Sequence, residues 1–153
     1  ADKVRAPHYP MPVPVISDTP EENAAFQALR PVRQVRELAK AADVTFVGVG
    51  QMGDDAPLLA DGFVSRPDLT GMQAQGAVGE VAGWAFDAAG RDSDLGTNRR
   101  VGGVRVAPGS GRPVIGVAAG ASKVAAITAA LSGRILNGLV TDEDTARAIL
   151  THP

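Results

Sequence analysis

Cysteine is absent from this chain, which removes disulfides and thiolate metal sites and suits a cytoplasmic protein. Histidine is almost as scarce. His8 and His152 lie near the two ends, so no His-x-x-x-His pair forms and a Ser-His-Asp triad would have to borrow a terminal residue. No Gly-x-Ser-x-Gly elbow and no carboxylate cluster occurs. Neither a catalytic set, a metal site nor a cofactor is therefore expected. No apolar run approaches the roughly 20 residues of a membrane span. The first ten residues, ADKVRAPHYP, lack the apolar stretch of a secretory leader. Charge of one sign is lacking too: 15 basic residues against 17 acidic ones leave a net charge of −2. The basic residues are scattered, with Arg99-Arg100 the one adjacent pair, so nucleic-acid binding by this chain is not expected. No internal repeat is present.

What is there is mostly glycine-punctuated apolar chain. The 153 residues suffice for one domain with a proper core. The 18 glycines and 11 prolines fall between periodic segments, as turn residues do. The organising stretch is 113–143, PVIGVAAGASKVAAITAALSGRILNGLVTDE. Val114 to Val117 is a short β-branched run that suits a strand buried on both faces. Ala118, Ala119 and Gly120 make a turn with little side chain, and Ser122 can cap the helix that follows. Val124, Ile127, Ala130 and Leu131 are spaced as one apolar stripe, and Gly133 is placed to end the helix. Ile135 to Val140 reads as a second strand, followed by Thr141-Asp142 as the cap of a last helix. Strand, helix and strand make a parallel βαβ unit.

Lys123 falls in the first turn of the helix at 122–132, where free N–H donors and the positive dipole end favour an anion. An anionic or polar ligand at the turn would relieve the conflict. Otherwise the ammonium swings into water.

The rest of the chain adds one strand end and one acid. Thr19-Pro20-Glu21-Glu22 is a helix start with a capping box, and a second helix begins at Pro31 with Val32, Val35, Leu38 and Ala39 on one face. Val44 to Val49 is a buried-strand candidate that runs into Gly48-Val49-Gly50-Gln51-Met52-Gly53. The Gly-x-Gly-x-x-Gly spacing is that of dinucleotide sites. However, Asp54-Asp55-Ala56-Pro57 is poor material for a phosphate-binding helix, and no acidic residue ends the next strand. It is read as a tight turn, or as a strand end where backbone meets ligand. A helix is expected over 67–75. Ala77 to Asp87 reads as a strand with Glu80 in an otherwise apolar run, either facing water or holding a partner. Val101 to Val106 reads as a further strand. Residues 1–16, with Pro10, Pro12 and Pro14 at alternate positions, read as extended or edge chain. Glu80 and Lys123 are the one acid and one base beside glycine-rich strand ends. Such a pair suits a polyhydroxylated ligand, the Glu accepting from hydroxyls and the Lys donating to a hydroxyl, carbonyl or phosphate. The same pair could move protons in an isomerase.

Five blocks carry a resemblance: PVPVISDTPEE (12–22), VTFVGVGQMG (44–53), GAVGEVAGWAFDAAG (76–90), NRRVGGVRV (98–106) and the long block 116–150. In this order they are similar to the C-terminal effector-binding domain of SorC-type bacterial transcriptional regulators, the sugar-binding group that includes the deoxyribonucleoside and central-glycolytic-gene regulators. The resemblance implies an α/β fold, a Rossmann-like and mostly parallel sheet with flanking helices, related to sugar-phosphate isomerases and deaminases. It implies a sugar, polyol or sugar phosphate as ligand, and binding that alters the DNA binding of a cytoplasmic homo-oligomer rather than catalysis. It implies that Glu80 and Lys123 contact the effector, with Gly48, Gly50 and Gln51 close by. Gly120 would allow close backbone approach and Ser122 would help at the helix start. The helix-turn-helix of such regulators is not in these residues. Nor is the first part of their effector domain, whose Gly-Gly-Thr-type loop helps hold the effector's phosphate. The chain is therefore expected to be a single α/β domain over 1–153, a C-terminal piece of the effector domain that meets DNA only through a domain outside it. The rival readings are a sugar-phosphate isomerase or deaminase of the same fold, and an oligomerisation module without ligand.

Overall fold

The computed structural model describes residues 5–92 and 96–151. Two short helices come first, α1 (Pro20–Ala28) and α2 (Arg30–Lys40). The strand β1 (Thr45–Val47) is followed by β2 (Gly50–Gln51), then α3 (Pro57–Ala60), α4 (Arg66–Ala74), β3 (Ala77–Val81) and β4 (Trp84–Asp87). The last third is β5 (Val114–Val117), α5 (Val124–Ser132), β6 (Gly138–Val140) and α6 (Glu143–Thr151).

The parallel α/β sheet is present as the sequence implies. Its order is β1-β5-β6, with Thr45 paired to Val114 and Ile115 to Gly138, all parallel. The crossover from β5 through α5 to β6 is the expected βαβ unit, although β6 is shorter than the apolar run that announces it. Ile135 and Leu136 go into the core instead, 6% and 2% exposed. Beside it stands an antiparallel sheet, β2-β3-β4, where the sequence shows one strand. Ala82 and Gly83 turn the chain there with φ of 52° and 86°, the geometry of a two-residue hairpin loop. Asn98 extends the edge, its side chain accepting from the Ala85 N–H and donating to the Ala85 carbonyl.

Helix α5 ties the two sheets together. Ala126, Ile127, Ala129 and Ala130 are buried in one core with Val81 and Phe86 of the hairpin and Val114 of the parallel sheet. Its alanines permit the close approach: a Cβ on Gly79 would stand 2.6 Å from that of Ala126. A second core, with Leu69 and Met72 of α4, packs on the other side of the hairpin.

Three local expectations change. Val101 to Val106 is no strand, since only Val101 bridges, to Ile16. The carbonyls of Gly102 and Gly103 are taken instead by the side chains of Gln27 and Arg36. Ser122 caps nothing: the chain enters α5 through a 3-10 turn at Ala121–Lys123, which moves the cap position to Lys123 and leaves Ser122 exposed. On α2 only Val32 is buried, and Leu38 is exposed. His152 lies outside the described residues.

One face of the parallel sheet is bare. Phe46, Val117 and Val140 project from it with 66%, 50% and 54% exposure, although parallel sheets are ordinarily covered on both faces. Phe46→Ser is accordingly expected to shift the melting temperature by less than about 2 °C. Thermal denaturation checks it, and a drop of core-mutant size would show that the face is covered in solution.

Candidate functional site

The candidate site lies where the chain leaves the carboxyl end of β1 and crosses into the antiparallel sheet. Gly48 and Val49 make the crossing, and Gly50 pairs with Glu80. An open cleft of about 330 Å³ forms there, with Gly48, Gly50, Glu80, Gly83 and Lys123 among its lining. That volume is within the range of small-molecule sites.

Glu80 is placed by the hairpin. Alternation along β3 turns Gly79 and Val81 toward α5 and its core and Glu80 to the other side. Its carboxylate accepts from the Gly83 N–H at 2.7 Å and from the Gly50 N–H. Burial pushes its pKa above the ordinary glutamate value, and the two N–H groups and the charge of Lys123 offset this only in part. A carboxylate has about four lone-pair positions, so two remain for a ligand.

Lys123 is placed by a different device. Gly120 turns with φ of 117°, and its N–H donates to Thr145 Oγ1 at 2.8 Å. Thr145 is itself buried in the first turn of α6, where its N–H donates to the Asp142 carboxylate, the expected cap. The Lys123 N–H then closes onto the Gly120 carbonyl, at the mouth of α5. Lys123 makes no ion pair among the described residues, and its charge bears on Glu80 across the cleft.

Of the residues singled out from sequence, the cleft brings together Gly48, Gly50, Glu80 and Lys123. Gln51, Gly120 and Ser122 are not part of its lining. The Gln51 side chain is buried and turned to the Asp55 carboxylate, and Gly120 acts through the turn that sets Lys123. The sequence reading missed Asp61 and Phe63, which reach the cleft from the turn after α3. Their signal is a short apolar run, Pro57-Leu58-Leu59-Ala60, closed by Gly62.

Gly50 is there for space. A Cβ on it would fall on the Glu80 carboxylate oxygen. Gly50→Ala is expected to displace that carboxylate and abolish ligand binding while the fold survives, which calorimetry against the wild-type ligand checks. A larger depression of about 380 Å³ lies between Asp18 and Arg100. There Arg100 is paired with Asp68 at 2.8 Å.

The chain is thus an α/β domain with an open cleft at a strand end, and comparison with known proteins gives its family. Residues 1–151 match the Sugar-bind family, described as "Putative sugar-binding domain". The chain belongs to that family. It is 39% identical over 144 residues to the transcriptional regulator LsrR of an Enterobacter species, covering 92% of this chain and 45% of that protein. It is 33% identical over 153 residues to the erythritol catabolism regulatory protein EryD of Brucella abortus, covering 100% of this chain and 48% of that protein. The chain thus spans about half the length of the curated relatives it matches. Among solved structures it resembles the full-length sorbitol operon regulator SorC of Klebsiella pneumoniae, with TM-score 0.77 and 26% identity over 90% of this chain and 44% of that one. A DeoR family transcriptional regulator from Listeria monocytogenes shares the fold at TM-score 0.85 and 21% identity, over 91% of this chain and 57% of that one. No helix among the described residues is long and apolar enough to cross a membrane.

Proposed function

We propose that this chain is the effector-sensing part of a bacterial transcriptional regulator, and that its cleft binds a sugar, polyol or sugar phosphate. One observation carries the reading. In a sugar-binding-family chain, a part-buried carboxylate and an unpaired ammonium face one open cleft floored by glycine backbone. Glu80 accepts from ligand hydroxyls, and Lys123 donates to a hydroxyl, carbonyl or phosphate oxygen. Gly48 and Gly50 let the ligand approach the backbone. Ligand binding orders the turns around Gly83 and Gly120 and shifts the assembly of a cytoplasmic oligomer whose DNA contacts lie in a domain outside this chain. The reading is non-catalytic, in keeping with relatives that are regulators.

A thermal-shift screen of sugars, polyols and their phosphates tests it. A ligand present at 100 times its Kd stabilises the native state by about 2.7 kcal/mol, a rise of roughly 5–11 °C for a chain of this size. No shift with any of them would favour an oligomerisation module. Turnover of a pentose or hexose phosphate would favour the isomerase or deaminase reading.

A further inference from the structure

The cleft is also lined by the turn after α3, which contributes Asp61 and Phe63. The Asp61 N–H bonds the Pro57 carbonyl at 2.9 Å, Gly62 turns with φ of 75°, and the Phe63 and Val64 N–H groups both close on the Leu58 carbonyl, at 2.8 and 3.1 Å. Leu58 and Val64, each 6% exposed, anchor the turn in the second core. The backbone N–H groups from Asp61 to Val64 are therefore tied, yet the Phe63 residue is left 41% exposed at the cleft. It is the one aromatic lining this cleft, in a chain whose aromatics are only 4% of residues. Asp61 stands beside it, two residues earlier.

We propose that Phe63 and Asp61 are specificity-determining contacts of the effector site, Phe63 packing on an apolar C–H face of the ligand and Asp61 accepting from a hydroxyl. This rests on the sugar-binding reading. Carbon-bound hydrogens of a sugar or polyol carry slight positive charge and complement the negative face of an aromatic ring. A ligand held this way presents hydroxyls to Glu80 and Lys123 along one edge and a C–H face to the ring. A small anion such as free phosphate has hydroxyl-type contacts but no such face, and gains nothing from Phe63.

The experiment is calorimetric titration of the protein with aldopentoses, aldohexoses, four- to six-carbon polyols and their phosphates, repeated with the tightest binder on variants. Phe63→Ala and Phe63→Leu are each expected to weaken binding about five- to tenfold, Phe63→Trp to stay within about twofold, and Asp61→Ala to weaken it about five- to tenfold. Inorganic phosphate, run as a control, should bind Phe63→Ala and wild type alike. Unliganded melting temperatures show whether each variant folds, and Phe63→Leu stands in if the alanine variant does not. Undiminished affinity in Phe63→Leu overturns the aromatic contact, and undiminished affinity in Asp61→Ala overturns the hydroxyl contact. In both cases the sugar reading stands. A wild-type protein that binds no member of the panel overturns the sugar reading and this inference with it.

Discussion

Alanine in place of Lys123 or of Glu80 is expected to weaken sugar binding about ten- to a hundredfold, each alone. Hydrogen bonds to a charged partner are worth about 1.5–3 kcal/mol, and 1.4 kcal/mol is a factor of ten. Lys123→Ala should leave the unliganded fold nearly unchanged, because the ammonium has no ion pair among the described residues and the turn is held by backbone and Thr145. Calorimetry decides, and unchanged affinity in both variants would remove both assignments.

Glu80→Ala also has a pH signature. Burial raises the folded-state pKa of Glu80 above its unfolded value. Its contribution to stability is therefore complete below the ordinary glutamate pKa, about 4.3, and is lost as pH rises through the higher folded-state value. Asp87, held down by N–H bonds from Arg91, and Asp142, held down by Thr145, act in the opposite sense and lose stability as pH falls. The quantity to measure is thus the difference in unfolding free energy between wild type and Glu80→Ala across pH 4–8. That difference should favour wild type most at the acid end. Ligand affinity should run the other way, since the ionised carboxylate is the better acceptor. A flat difference would mean that the carboxylate is solvated in the free protein.

What the sequence made legible, and what it hid, follows from where the information is local. Val114 to Val117 shows as a strand because a β-branched run bounded by proline and small residues has few other uses, and its βαβ partner helix follows from the Val124, Ile127, Ala130 spacing. The hairpin is hidden because its turn uses Ala82, at φ of 52°, where asparagine or glycine would have announced it. The apolar alternation at 101–106 misleads because its carbonyls are satisfied by side chains more than 60 residues away, Gln27 and Arg36. Glu80 and Lys123 were legible by exception, a charge in an apolar run and a cation at the wrong helix end. Gln51 shared the glycine strand end but turns to Asp55, a choice set by Met52–Asp55 turn geometry. Phe63 and Asp61 reach the cleft through the path of α3: the apolar run at 57–60 closed by Gly62 marks a short element and a turn, but nothing in it says where that turn is aimed.

The packing that brings Glu80 and Lys123 to one cleft is tight at Gly79, and Gly79→Val is expected to cost about 2–3 kcal/mol, or about 4–12 °C in melting temperature. Gly79 faces the core between Phe86 and α5. A Cβ there would stand 2.6 Å from the Ala126 Cβ and 2.8 Å from Phe86 Cζ, closer than folded proteins allow. Relief requires α5 to move off β3. Because Lys123 sits at the start of α5 and Glu80 follows Gly79 in β3, that movement also separates the ligand contacts. The variant should therefore lose sugar affinity even at temperatures where it is fully folded. Ala126→Gly removes the nearest obstructing methyl, at an intrinsic helix cost of about 1 kcal/mol. The double variant should be less destabilised than the two singles summed, by about 1 kcal/mol or more, and should regain affinity. Strict additivity would place the relief at the Phe86 ring, which can turn without moving α5. In that case affinity in the single variant would stay near wild type, and the link between core packing and the cleft would be broken.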